Sequence, residues 1–151
     1  MSLEIKVNEQ IKEAMKAKDE VVLRTLRAIK SAIIIEKTSE GFFGEMTDAT
    51  ELKMLQKLAK QRRDSLTIFE QQNREDLAAK EREELAVIEK FLPAQMSAEE
   101  LKAEISAIIA QVGATSAADM GKVMGVASKQ LAGKADGKAI SETVKAVLTG
   151  N

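Results

Sequence analysis

Two glycine- and lysine-rich segments in the last third of the chain hold the residues best suited to meet an anion. They are Gly121-Lys122-Val123-Met124-Gly125 and Gly133-Lys134-Ala135-Asp136-Gly137-Lys138. Glycine lets a backbone come close to a ligand and lysine supplies charge, the combination found in loops that cradle phosphates. The second segment invites comparison with the nucleotide-binding pattern G-x-x-x-x-G-K-[ST], but it departs from it in three ways. Gly133 and Gly137 are one residue too close, Ala139 stands where a hydroxyl would hold magnesium, and no strand pattern precedes the segment. Asp136 would also put a carboxylate at the helix N-terminus, where a phosphate should sit. The spacing predicts a junction between two helices: a stop at Gly133, an N-cap at Asp136, and Lys134 and Lys138 turned to solvent. Such a junction can hold phosphate and has no means to cleave it.

Gly121 and Gly125 lie four residues apart, on one face of a predicted helix. A glycine inside a helix costs about 1 kcal/mol relative to alanine, so a pair on one face implies that something approaches closely. Close packing of another helix is the expected reason; the alternative is a partner's backbone, with Lys122 and Lys129 flanking the bare strip. Basic residues also recur at helical spacing earlier: Arg24, Arg27 and Lys30, then Lys53, Lys57 and Lys60 with Arg62 and Arg63 just beyond. Rows of this kind can touch phosphates, but with Glu20, Glu51 and Asp64 nearby they read first as solvated, salt-bridged faces.

Catalytic machinery is hard to assemble from this chain. It has no histidine and no cysteine, which removes the commonest general base, the commonest metal ligand, thiolate sites and disulfides. Glu83-Glu84 and Glu99-Glu100 are adjacent on helices, so their side chains diverge. Glu81 and Glu84 can share a face but have no histidine to complete a di-metal site, and Ser31, Ser65 and Ser128 lack a base and a glycine elbow. The expectation is therefore no catalytic residue, no metal, no cofactor, and a protein that is not itself an enzyme.

The elements that position these residues are predicted to be helices throughout. The chain is 151 residues long, 44% hydrophobic and 31% charged, with one proline and four aromatic residues. That balance gives a core and a solvated helical surface and weighs against an all-β fold. The longest strongly apolar run, Ala32 to Ile35, is far short of a membrane span, and no signal-peptide pattern opens the chain, so a cytoplasmic protein is expected. Apolar stripes predict a first helix through Leu3, Val7, Ile11 and Ala14, and a second through Val22, Leu26, Ile29 and Ile33 capped by Asp19. A third is predicted to start at Asp48 with Asp48-x-x-Glu51 as a capping box, and a fourth to be capped by Asn73 with Asp76 and to run through Phe91. Pro93 then stops the chain. Ser97-x-x-Glu100 opens a fifth helix that ends at Gly113, Ser116-x-x-Asp119 opens a sixth that ends at Gly133, and Asp136 caps a seventh. The expected fold is all-α with two helical subdomains, four helices in residues 1–92 and a three-helix bundle in residues 93–151. Charge follows a finer division. Residues 1–92 carry 17 basic and 18 acidic groups, residues 93–120 one and four, and residues 121–151 five and two. Only the last segment has a clear basic excess, which suits an anionic partner.

The same residues carry a family resemblance. The two glycine-lysine segments resemble the signature of the GatB/YqeY domain, the tail of the B subunit of the bacterial tRNA-dependent amidotransferase, which also occurs in small free-standing YqeY-like proteins. Leu23-Arg24-Thr25-Leu26-Arg27-Ala28-Ile29-Lys30-Ser31-Ala32, Lys60-Gln61-Arg62-Arg63-Asp64-Ser65, Arg74-Glu75-Asp76-Leu77 and Phe91-Leu92-Pro93-Ala94-Gln95 are similar to that family as well, so the likeness covers almost the whole chain. The resemblance implies two all-helical subdomains and a tRNA-holding role read through backbone and shape. The family's kinase and transamidation chemistry resides in the body of the subunit and in its amidase partner, which a chain about one tail long lacks. An enzyme label would thus come from resemblance alone.

The first expectation is a non-catalytic RNA-binding module for tRNA or a tRNA–protein complex. Lys122, Lys129, Lys134 and Lys138 would contact phosphates, Gly121 and Gly125 would allow close approach, and Arg24, Arg27, Arg62 and Arg63 are the residues that could join them. Shape recognition of RNA needs no aromatic stacking, which suits a chain without tryptophan or tyrosine. A second expectation is an adaptor docking on a protein of an amidotransferase or synthetase complex, with exposed apolar residues around Phe42-Phe43 or the glycine strip. A third, ranked last, is an accessory of glutamine-dependent carbon–nitrogen ligase activity. No membrane partner is expected.

Overall fold

The computed structural model describes residues 2–150. Its regular structure is all α: seven α-helices and one 3-10 turn, with no strand among the described residues. The chain divides into two units, Met1–Leu92 and Pro93–Asn151.

The first unit holds α1 (Leu3–Ala17), α2 (Glu20–Lys37), α3 (Asp48–Gln71) and α4 (Glu75–Glu89). Each helix turns one apolar stripe inward, as the 3.6-residue period requires. Val7 of α1, Leu26, Ile29 and Ile33 of α2, Leu55 and Ala59 of α3 and Ile88 of α4 form the centre of the core. α1 packs on α2, and α4 packs mainly on α3 and also on α2.

The second unit holds α5 (Ala98–Val112), the 3-10 turn Ala117–Asp119, α6 (Met120–Gln130) and α7 (Gly137–Thr149). Leu101, Ile105 and Ile108 of α5 meet Val123 and Ala127 of α6, Leu131, and Ile140 and Val144 of α7.

Several caps are where the local pattern puts them. Asp19 accepts from the Val22 N–H, Ser97 from the Glu100 N–H and Asp136 from the Ala139 N–H. Others differ. Thr47, not Asp48, caps α3, its hydroxyl accepting from the Thr50 N–H at 3.1 Å. Glu51 is drawn elsewhere and accepts from the Leu3 N–H at the start of α1. Asn73 does not cap α4; it takes a left-handed conformation with φ 56°, and Arg74 stands at the cap position with no side-chain cap. Asp76 instead accepts a two-pronged contact from the Arg74 guanidinium, at 3.1 and 3.0 Å. α4 ends at Glu89, so Phe91 packs on the core from a turn beyond the helix. Ser116 and Asp119 do form the expected capping box, but it opens a tighter 3-10 turn, Ala117–Asp119, ahead of α6. α6 ends at Gln130, three residues before the predicted stop, and Gly133 with φ 78° turns the chain toward α7.

Candidate nucleic-acid interface

At 100° per residue, Gly121, Lys122, Gly125, Ser128 and Lys129 share one face of α6, roughly a third of the helix circumference. All five are exposed, while Val123 and Ala127 on the other side are fully buried. A Cβ built on Gly121 or Gly125 would meet nothing within 4 Å. The expected close helix packing at this pair is therefore corrected: neither glycine has a neighbour, and the bare strip faces open space.

The turn that follows is held from the second unit's own first residues. The Gln95 side-chain amide donates to the Gly133 carbonyl at 2.6 Å and to the Pro93 carbonyl at 2.9 Å, and the Met96 N–H donates to the Lys134 carbonyl at 2.9 Å. These bonds occupy carbonyls that a tight turn leaves without helical partners. Gly133 is buried and Lys134 exposed. Asp136 then opens α7, whose second residue, Lys138, is also exposed. Gln95 belongs to a segment the sequence marks, but its role as the strut of the lysine turn was missed; a glutamine 38 residues from its acceptor gives no local signal.

Among the described residues, none of Lys122, Lys129, Lys134 and Lys138 forms an ion pair. Asp119 lies one turn before Lys122. Its carboxylate accepts from the Thr115 and Ser116 N–H groups, and these bonds, with a smaller contribution from Lys122, hold it below the usual aspartate range despite some desolvation.

The arginines of the first unit are placed differently. Arg24 Nε on α2 donates to Glu84 Oε1 at 2.7 Å, and Arg62 Nε on α3 lies 2.7 Å from Glu84 Oε2 and 3.8 Å from Glu81 Oε2. The Arg62 contact is close but not aligned as a hydrogen bond, which leaves Arg62 Nε and Glu81 Oε2 buried without one. Burial pushes the Glu81 carboxyl up, opposed by Arg62, with Glu84 adding to the rise and Arg24 subtracting from it. Arg63 donates to Glu89 at 3.3 Å. The partners are α4 carboxylates, not the Glu20 and Glu51 expected from the local rows; only Lys60 pairs within its row, with Asp64 at 2.9 Å. Arg27 is exposed and has no ion pair among those described.

No group of three or more acidic side chains among the described residues is arranged to hold a metal ion. An open cleft of about 480 Å³ in the first unit is lined by Leu3, Leu55 and Phe91 together with Lys6, Lys90, Asp48 and Glu51, a balanced set of charges. No described helix is long and apolar enough to cross a membrane.

A family model described as Yqey-like protein matches residues 4–148, which takes in both units. The chain belongs to the YqeY-like family. The YqeY-like chain is 36% identical over 109 residues to Altered inheritance of mitochondria protein 41, mitochondrial, of Clavispora lusitaniae, covering 71% of this chain and 62% of that protein. The protein of the same name from Vanderwaltozyma polyspora is 35% identical over 86 residues, 57% of this chain and 46% of that one. The one from Saccharomyces cerevisiae is 39% identical over 84 residues, 54% and 44%. The YqeY-like chain thus spans about half the length of the curated relatives it matches.

Proposed function

We propose that this YqeY-like protein binds RNA without transforming it, with tRNA or a tRNA–protein complex as the ligand. One observation carries the reading: Lys122, Lys129, Lys134 and Lys138 are exposed and without ion pairs among the described residues, the first two on the α6 face where Gly121 and Gly125 have nothing on them. Phosphates are met by cations that no carboxylate has already neutralised, and the bare face of α6 lets a sugar–phosphate backbone come near its main chain. The choice of tRNA rests on the likeness to the amidotransferase tail. Fluorescently labelled tRNA, titrated at several salt concentrations, tests the reading. Four phosphate contacts predict a slope of log K against log [salt] near −3, taking about −0.7 to −0.9 per contact. Absence of binding at low salt, or binding unchanged by lysine-to-glutamate substitution at all four positions, would sink it.

Protein docking is a second reading, favoured by a separate observation in the first unit, where Phe43 is 88% exposed. A cytoplasmic location remains part of the proposal. The relatives carry "mitochondrial" in their names, and fractionation of cells expressing a tagged chain separates the two locations.

A further inference from the structure

The connection between α2 and α3 has the build of a presenting loop. Gly41 and Gly44 bracket Phe42-Phe43 and both take positive φ, 85° and 80°, with open space where a Cβ would lie. Their role is conformational: they allow the backbone to turn at two points that a side chain would strain. The loop tucks Phe42 partly in, its N–H donating to the Ser39 carbonyl, and leaves Phe43 out at 88% exposure. More apolar surface lies where α2 ends and α1 begins, a place marked by the ion pair of Lys37 with Glu4. There Ile35 is 69% exposed and Ile34 and Ile5 are each 50% exposed. A single exposed isoleucine is ordinary; a phenylalanine held out on a glycine-bracketed tip, with three isoleucines on the adjoining helix ends, is the composition of an interface.

Charge says what covers it. Between α2 and α3 the loop from Thr38 to Thr47 has Glu40 and Glu45, both exposed, and no lysine or arginine; Asp48 and Glu51 beyond it line the open cleft with Lys6 and Lys90. These two loop carboxylates repel RNA and anionic lipid, so neither the ligand proposed for the second unit nor a membrane surface fits here. We propose that this loop is a docking hook whose occupant is another protein, one with an apolar cleft for Phe43 bordered by lysine or arginine. The inference rests on the protein-docking reading and is independent of the RNA reading.

The test begins with the full chain carrying the photo-crosslinker benzoylphenylalanine in place of Phe43. It is irradiated in an extract of its source cells, and the joined peptide is sequenced. The expected product joins position 43 to an apolar segment of a different protein with lysine or arginine beside it. That protein is then purified and titrated. Phe43→Ala should weaken binding about 30-fold or more, as expected for an aromatic anchor. Glu40→Lys with Glu45→Lys should weaken it about 10-fold and abolish its salt sensitivity, with thermal melting of each variant unchanged because these side chains are exposed. Crosslinks to a second copy of this chain, to RNA or lipid, or to no molecule overturn the proposal, as does a partner that binds Phe43→Ala unchanged. Titration of tRNA against the same variants keeps the two readings apart, since hook substitutions leave all four lysines of the second unit in place.

Discussion

Gly121, in the first turn of α6, and Gly125, in its middle, have nothing opposite them, so the fold gains nothing from their small size. Neither has positive φ, and alanine would fit both without contact. Gly121→Ala and Gly125→Ala should each stabilise the protein by about 0.4–1 kcal/mol, measured by urea unfolding. If the face receives a phosphate backbone, Gly125→Leu should still melt no lower than the parent yet bind tRNA several-fold more weakly. Gln95 makes the opposite prediction. Gln95→Ala frees the Gly133 carbonyl and should cost about 1–2 kcal/mol, with faster amide hydrogen exchange confined to the 131–136 turn. These residues also show what the chain reveals by itself. Asp19, Ser97 and Asp136 were legible as caps because a cap is decided within four residues. Thr47 and Asp48 are both good cappers side by side, so the pattern misplaced the cap by one. Glu51 and Gln95 were not legible because their partners lie 48 and 38 residues away.

The stripes of the helices were legible for the same reason as the caps: burial repeats every 3.6 residues along a single element. Pairing across elements was not, and α4 shows why it matters. Glu84 alone answers arginines from two other helices, Arg24 of α2 and Arg62 of α3, and so ties three helices at one carboxylate. Glu84→Gln should lower stability by about 1–3 kcal/mol in urea, because it leaves two guanidinium groups without their shared counter-charge. Glu81 beside it behaves in the opposite sense. Its folded-state pKa is raised above the ordinary 4.5, chiefly by burial. The folded protein therefore favours the protonated carboxyl, and the stability this contributes is full below that value and is lost as pH rises through the folded pKa. Glu81→Gln keeps a neutral group at every pH. The melting temperature of the variant minus that of the parent should grow more positive from pH 4 to pH 7; a flat difference would show that burial of Glu81 carries no such cost.

At the scale of the whole molecule, cation number is a poor guide to where an anion binds. Residues 1–92 carry 17 lysines and arginines and residues 93–151 only six. Yet the arginines that drew attention in the first unit are largely committed to α4 carboxylates, whereas four lysines of the second have no ion pair among the described residues. A phosphate approaching Arg24 must displace Glu84 from a 2.7 Å contact, and the exchange of one anion for another returns little. A phosphate approaching Lys129 displaces only water and counterions, and the release of those counterions favours binding. The two units should thus respond differently to removal of one charge. Lys129→Gln should reduce the salt slope of tRNA binding by about 0.7–1 and weaken all tRNA sequences alike, with melting unchanged. Arg24→Gln should leave the slope as it was and lower the melting temperature instead, because the charge it removes was holding α2 to α4. If Arg24→Gln reduced the slope as much as Lys129→Gln does, RNA would be reaching the first unit. The binding face would then have to be redrawn to include the arginine row, with Glu84 giving up its partners as RNA arrives.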